Sequence, residues 1–238
     1  MPKFFFDPKN KDGNFIFLYS DSAHHIVNVL RTKLNVQVFL CDGNGNDYAT
    51  RLCSYEFSKK KKQAKFEVLS ISKSTEPVKQ VRLYMSAINW QCFEAAIQKS
   101  VEVGVLEVVP IVTKRAIYSL SAVANKLERL NRVAKSAAEQ SHRGIIPKVL
   151  PPMMFEEALL EKNETCYVTC CEKECIPLSK TEIVEGKIGI WVGPEGGFTK
   201  CEIGQLEAKQ AVFFSLGKRI LRSETAAAVA VCCLTMED

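Results

Sequence analysis

Residues 105–112 read Val-Leu-Glu-Val-Val-Pro-Ile-Val, a nearly continuous apolar run. A run of this kind suits a strand covered on both faces, the usual setting of a parallel sheet. The surrounding chain has the matching rhythm. Residues 81–87, 166–171, 187–192 and 211–216 are further short apolar segments. Helical spacing at 93–103, 121–142 and 155–160 separates several of them, and a last helix is expected from about Ser223. Gly104 follows the first of these helices as a C-cap residue. Alternating strands and helices imply a parallel sheet with helices on both faces.

The first third is patterned differently. Residues 36–41 and 48–53 are strand-like and flank Asp-Gly-Asn-Gly at 42–45, a hairpin signal because Gly43 and Gly45 tolerate positive φ. Residues 66–71 form another strand. Asp21 or Ser22 is the expected cap of a short helix to about Lys33, with Ile26, Val29 and Leu30 on one apolar face. Short strands joined by turns suggest a small barrel. Residues 72–79 are polar, contain a proline and read as a linker. The expected organisation is a β-barrel over 1–75 and an α/β domain over 76–238.

Charge divides the chain at the same place. Residues 1–75 hold 12 Lys+Arg against 7 Asp+Glu, while the remaining 20 basic and 20 acidic residues cancel. The whole excess of +5 therefore lies in the first third, as expected of a polyanion-holding module joined to a neutral working module. No apolar run approaches the length of a membrane span, and Asp7 interrupts the apolar start too early for a signal peptide. A cytosolic location is the expectation. The ten cysteines have no framework spacing and several lie among valines and alanines, which favours buried free thiols over a disulfide scaffold.

Two segments carry candidate chemistry. At 193–197 stands Gly-Pro-Glu-Gly-Gly, between a buried strand and a helix, with Thr199 and Glu202 at capping-box spacing. Glycines here let a backbone approach a ligand, and ligands of open α/β sheets bind at the carboxyl ends of strands. The loop matches neither the P-loop nor the dinucleotide-binding fingerprint. At 216–226 stands Leu-Gly-Lys-Arg-Ile-Leu-Arg-Ser-Glu-Thr-Ala, again a strand, glycine turn and helix, with Ser223 as expected cap and Glu224 at the positive helix end. Each alone is also what a tight turn and a well-capped core helix would look like.

Together these segments resemble the RsmE family of SPOUT-type methyltransferases. The resemblance runs along the chain. The stretch 25–31 and the turn at 42–45 look like that family's PUA-like RNA-binding barrel. The stretches 97–104 and 138–143, and Pro110 with Lys114 and Arg115, look like its early catalytic-domain motifs. The stretch 89–93 lacks the more charged lead-in of the family.

The resemblance implies a deep trefoil knot, a homodimer and S-adenosyl-L-methionine as cofactor. The cofactor would lie between a loop of Gly193, Glu195, Gly196 and Gly197 and a loop of Leu216, Gly217, Ile220, Leu221 and Arg222. The implied reaction is methylation of N3 of a uridine in 16S rRNA of the small ribosomal subunit. N3 must lose its proton, so Arg222 is the candidate for stabilising the developing negative charge, and Glu195 or Glu224 for accepting the proton. Rival readings are ribose 2′-O-methylation and a non-catalytic assembly factor that binds rRNA.

Arg31, Arg51, Lys114, Arg115 and Arg143 are the expected RNA contacts, with Lys65 and the Lys59, Lys60, Lys61, Lys62 run adding charge. His24 and His25 are expected to pack rather than to ligate. Cys166, Cys170, Cys171 and Cys175 lack zinc-site spacing, so no metal is expected.

Overall fold

The computed structural model describes residues 3–58, 62–161, 165–170, 175–178, 181, 183 and 186–235. The chain forms two units. Met1–Glu76 and Ala138–Ile146 make the first, Pro77–Ala137 and Pro147–Asp238 the second.

The first unit contains β1 (Phe4–Phe5), β2 (Lys11–Asp12), β3 (Phe15–Tyr19), α1 (Ser20–His24), β4 (Gln37–Cys41), β5 (Asn46–Phe57) and β6 (Lys62–Lys73). The strands form one sheet in the order β1-β4-β5-β6-β3-β2, antiparallel except for β1 on β4. Alternate residues face the core: Val38 and Leu40, Thr50 and Leu52, Ala64 and Phe66, Ile16 and Leu18. Register shifts fall between Ala49 and Thr50 and between Leu52 and Ser54. Bulges of this kind increase local twist and bend a strand. The sheet curls into a half-barrel, with β1 and β2 as its edges, where the sequence suggested a barrel.

The hairpin forms at the expected turn. Asp42 Oδ1 accepts from the amides of Asn44 and Asn46 at 2.8 and 3.1 Å, and Gly43 and Gly45 take φ of +73° and +88°. The helix after β3 departs from expectation. It starts at Ser20, without a side-chain cap, and continues as a π-helical turn over His25–Val29, where the Leu30 amide donates to His25 O at 2.9 Å. This wider turn rotates the apolar face. Ile26 and Val27 are buried, whereas Val29 is 58% exposed and Leu30 also faces out. Arg31 stops the helix in the left-handed region at φ +53°.

The polar stretch after β6 is tied down. Glu76 accepts from the amides of Gly144 and Ile145 at 2.7 and 3.1 Å and pairs with Arg143 at 2.6 Å. These bonds hold a segment almost seventy residues distant in the same unit, and nothing in the local sequence pattern announces them.

The second unit comprises β7 (Gln80–Ser86), α2 (Trp90–Glu102), β8 (Glu107–Val112), α3 (Leu120–Ala124), α4 (Leu127–Gln140, its last residues in the first unit), β9 (Lys148–Val149), β10 (Met153–Met154), α5 (Phe155–Ala158), β11 (Thr165–Thr169), β12 (Ile176–Pro177), β13 (Lys187–Val192), α6 (Lys200–Ala208), β14 (Val212–Ser215) and α7 (Ser223–Thr235). Its sheet runs β10-β8-β7-β13-β11-β14-β12, with β9 also on β8, and every described pairing is parallel. Burial of consecutive residues in β7, β8 and β13 follows from cover on both faces. Pro110 lacks an amide hydrogen, and on one side of β8 it falls between the registers of β9 and β10. The helix expected over 121–142 is two helices. Lys126 N donates to Val123 O at 2.9 Å, a tight turn that separates α3 from α4.

Candidate active site

The carboxyl ends of β11, β13 and β14 border a cavity of about 930 Å³. Two glycine loops form much of its wall, with contributions from Cys92 of α2, Arg115 beyond β8, Ile203 and Glu207 of α6, and the start of α7. Ligands of open α/β sheets bind in the crevice outside the carboxyl ends of the strands, which is this edge.

The loop after β13 is tightly held. Gly197 takes φ +68°, and its amide donates to Pro194 O at 2.8 Å. A Cβ on Gly193 would stand 3.2 Å from the Phe198 amide nitrogen and ring. A Cβ on Gly196 would stand 3.3 Å from Arg115 Cδ, and Arg115 Nη1 donates to the Gly196 carbonyl. The predicted capping box is present. Glu202 Oε2 accepts from Thr199 N at 2.7 Å and Thr199 Oγ1 at 2.8 Å, and Thr199 Oγ1 accepts from Glu202 N at 3.3 Å.

The loop after β14 is more open. Ser215 Oγ bonds both the amide and the carbonyl of Gly217, at 3.2 and 3.1 Å, and Gly217 has φ +111°. Ile220 is 86% exposed. The amides of Thr225 and Ala226 donate to Arg222 O at 3.0 and 2.8 Å, so Arg222 occupies the N-cap position and Ser223, the expected cap, is the first helical residue. The Arg222 side chain is 84% exposed and its Nη1 lies 4.0 Å from Glu224 Oε1, at the limit of an ion pair.

Gly193, Glu195, Gly196, Gly197, Ile220, Leu221, Arg222 and Glu224 therefore share one cavity. Leu216 and Gly217 line a small adjoining hollow of about 50 Å³ instead, together with Thr169 and Cys170. Sequence reasoning missed Cys92, Thr169, Ile203, Glu207 and Phe213, which carry no motif of their own. Burial and then the Glu224 and Glu195 carboxylates push the Cys92 thiol up.

The expected RNA contacts are scattered. Arg31 is exposed. Arg51 pairs with Glu67 at 2.8 Å, and Lys65 lies 3.7 Å from the centre of the Phe15 ring. Lys114 and Arg115 belong to the second unit, and Arg115 lines the cavity. Arg143 is buried on Glu76, so its charge is met inside the first unit and does not face outward. Lys59, Lys60 and Lys61 lie outside the described residues. His24 and His25 pack against Phe57 and Phe4. Cys170 and Cys175 are joined as a disulfide, an exception to the expected free thiols, and Cys171 lies outside the described residues. Among the described residues no helix is long and apolar enough to cross a membrane.

An all-parallel sheet with glycine loops at its carboxyl edge, in a chain that also carries a curled, largely antiparallel sheet, matches the SPOUT-type RNA methyltransferase fold with a PUA-like unit. A family profile described as RNA methyltransferase domain matches residues 74–235, and one described as RNA methyltransferase PUA domain matches residues 18–69. The chain belongs to the ribosomal RNA small subunit methyltransferase E family. It is 33% identical over 230 residues to the family member from Mesomycoplasma hyopneumoniae, covering 95% of this chain and 96% of that one. The Bacillus subtilis member is 29% identical over 217 residues, covering 87% and 84%. Among solved structures, the Neisseria gonorrhoeae enzyme bound to S-adenosyl methionine superposes with a TM-score of 0.87 at 32% identity, covering 97% of this chain and 95% of that one.

Proposed function

We propose that this protein transfers a methyl group from S-adenosyl-L-methionine to N3 of a uridine in 16S rRNA of the small ribosomal subunit. The observation that carries the reading is the single cavity formed by two glycine loops, with Arg222, Glu195 and Glu224 at its wall. Its volume suits a nucleoside-sized ligand. The wall is also locally shaped: Gly193 and Gly196 line the cavity, and their lack of a Cβ lets the loop lie close against Phe198 and Arg115. Gly193, Glu195, Gly196, Gly197, Ile220 and Leu221 would hold the cofactor, with Leu216 and Gly217 shaping the side hollow. Bound there, the cofactor supplies an electrophilic methyl group on a sulfonium.

The protein's own residues supply the rest. Uracil N3 must give up a proton, and negative charge spreads over the ring as it does. Arg222 stays protonated and presents a fork of donors to that charge. Glu195 or Glu224 accepts the proton, directly or through water. Arg31, Arg51, Lys114 and Arg115 meet the RNA backbone, Arg115 while also bonded to the Gly196 carbonyl. The knotted topology, a homodimer and a cytosolic location belong to the same reading.

The test is methyl transfer from radiolabelled cofactor to small ribosomal subunits lacking the mark, followed by nucleoside analysis. Label in 3-methyluridine is the expected outcome. Cofactor binding without label on these subunits would sink the substrate assignment. Absence of cofactor binding would return the protein to the rRNA-binding assembly role.

A further inference from the structure

A capping box uses one carboxylate oxygen of its glutamate. Glu202 uses both. While Oε2 accepts from Thr199, Oε1 accepts from the backbone amide of Lys114 at 2.8 Å, across 88 residues of sequence. The side chain is buried, with the residue only 2% exposed. Placing a carboxylate there costs solvation free energy, which hydrogen bonds from fixed donors offset. Glu202 does not line the cavity.

The amide it grips belongs to the residue before Arg115, and Arg115 donates to the carbonyl of Gly196. The contacts close a ring: Glu202 to Lys114, along the chain to Arg115, across to Gly196, and back through the loop to Thr199 and Glu202. Gly196 and Gly197 have no side chains with which to fix their own backbone, so the shape of that loop depends on what grips its carbonyls. We infer that Glu202 is a positioning residue for cofactor binding, holding the Lys114–Arg115 segment so that Arg115 keeps the 193–198 loop in its ligand-ready shape. The inference rests on the cofactor reading above.

The experiment is calorimetric titration of S-adenosyl-L-methionine into the wild type, Glu202→Gln, Arg115→Ala and the double variant, with melting temperatures and steady-state kinetics alongside. Glutamine keeps the size but replaces one acceptor oxygen with an amide that only donates. Glu202→Gln weakens cofactor binding about tenfold, the scale of one hydrogen bond to a charged group. KM for the cofactor rises in step, while kcat at saturating cofactor stays within about threefold, because Glu202 touches no reacting atom. In the Arg115→Ala background the same change costs less than about twofold, the non-additivity expected of residues acting through one another. Unchanged affinity with a lowered melting temperature, or fully additive losses, overturns the inference and leaves the cofactor reading standing. A wild type that binds no cofactor takes both down. If Glu202→Gln does not fold, Lys114→Pro decides: it deletes the accepted N–H and leaves the capping box in place. The same loss of affinity is then expected, and an unchanged affinity overturns the inference.

Discussion

The two glycine loops at the carboxyl edge of the second sheet are built to opposite specifications. The 193–198 loop is pinned at several points: by the turn bond from Gly197 to Pro194, by Arg115 on the Gly196 carbonyl, by the close approach of Gly193 to Phe198, and by a double-sided cap on α6. The loop after β14 is held at its root, by Ser215 on Gly217, and at its end, where Arg222 starts α7. Residues 217–220 are exposed, as 195–197 are, so it is the pinning contacts that set the two loops apart. A loop fixed before a ligand arrives costs little ordering entropy on binding, whereas an open one has that cost still to meet. The first loop is thus suited to grip, and the second to present Arg222 to whatever enters.

That division is broken most directly at Arg222. Arg222→Ala should lower kcat by about 100-fold or more, the scale seen when one stabiliser of transition-state charge is removed. Cofactor affinity should stay within about threefold, since the side chain is mostly exposed. Titration of cofactor with single-turnover methyl transfer separates the two effects. A large loss of affinity with kcat preserved would reverse the roles assigned to the loops. Gly193→Ala tests the other side. Its Cβ must displace the Phe198 ring or backbone, and overpacking of about 1–3 kcal/mol translates to roughly a tenfold to hundredfold loss of cofactor affinity. An affinity equal to wild type would mean that the first loop is not rigid after all.

Much of this site is legible in the sequence, for reasons that are local. Positive φ at Gly43, Gly45, Gly197 and Gly217 restricts those positions largely to glycine, so turns and loops appear in the sequence. Buried parallel strands must be apolar throughout, so residues 105–112 announced β8. The capping box is a spacing of three residues and was visible as such. What was not legible is what depends on distant partners. No periodicity links Glu202 to Lys114 or Glu76 to Gly144, and nothing in the composition of Arg115 distinguishes an RNA contact from a clamp on Gly196. The π-helical turn at His25–Val29 was missed because the apolar spacing there fits an ordinary helix equally well. Cys170 and Cys175 carry no signal beyond their separation of five residues.

The finest distinction between the loops lies at Gly217. A Cβ there meets nothing within 4 Å, so crowding plays no part and only backbone strain remains. Its φ of +111° lies beyond the small left-handed region that L residues tolerate, so alanine must either bear a cost of about 1–3 kcal/mol or shift the loop. In a pinned loop the full cost would be felt. Here the following residues are exposed, and they can move to relieve it. Gly217→Ala is therefore expected to weaken cofactor binding by about fivefold at most, near the lower end of that range. Titration of the cofactor, with the melting temperature as a control for folding, reads the difference. If Gly217→Ala matches Gly193→Ala in its loss of affinity, the second loop is as rigid as the first, and the contrast between grip and presentation falls with it.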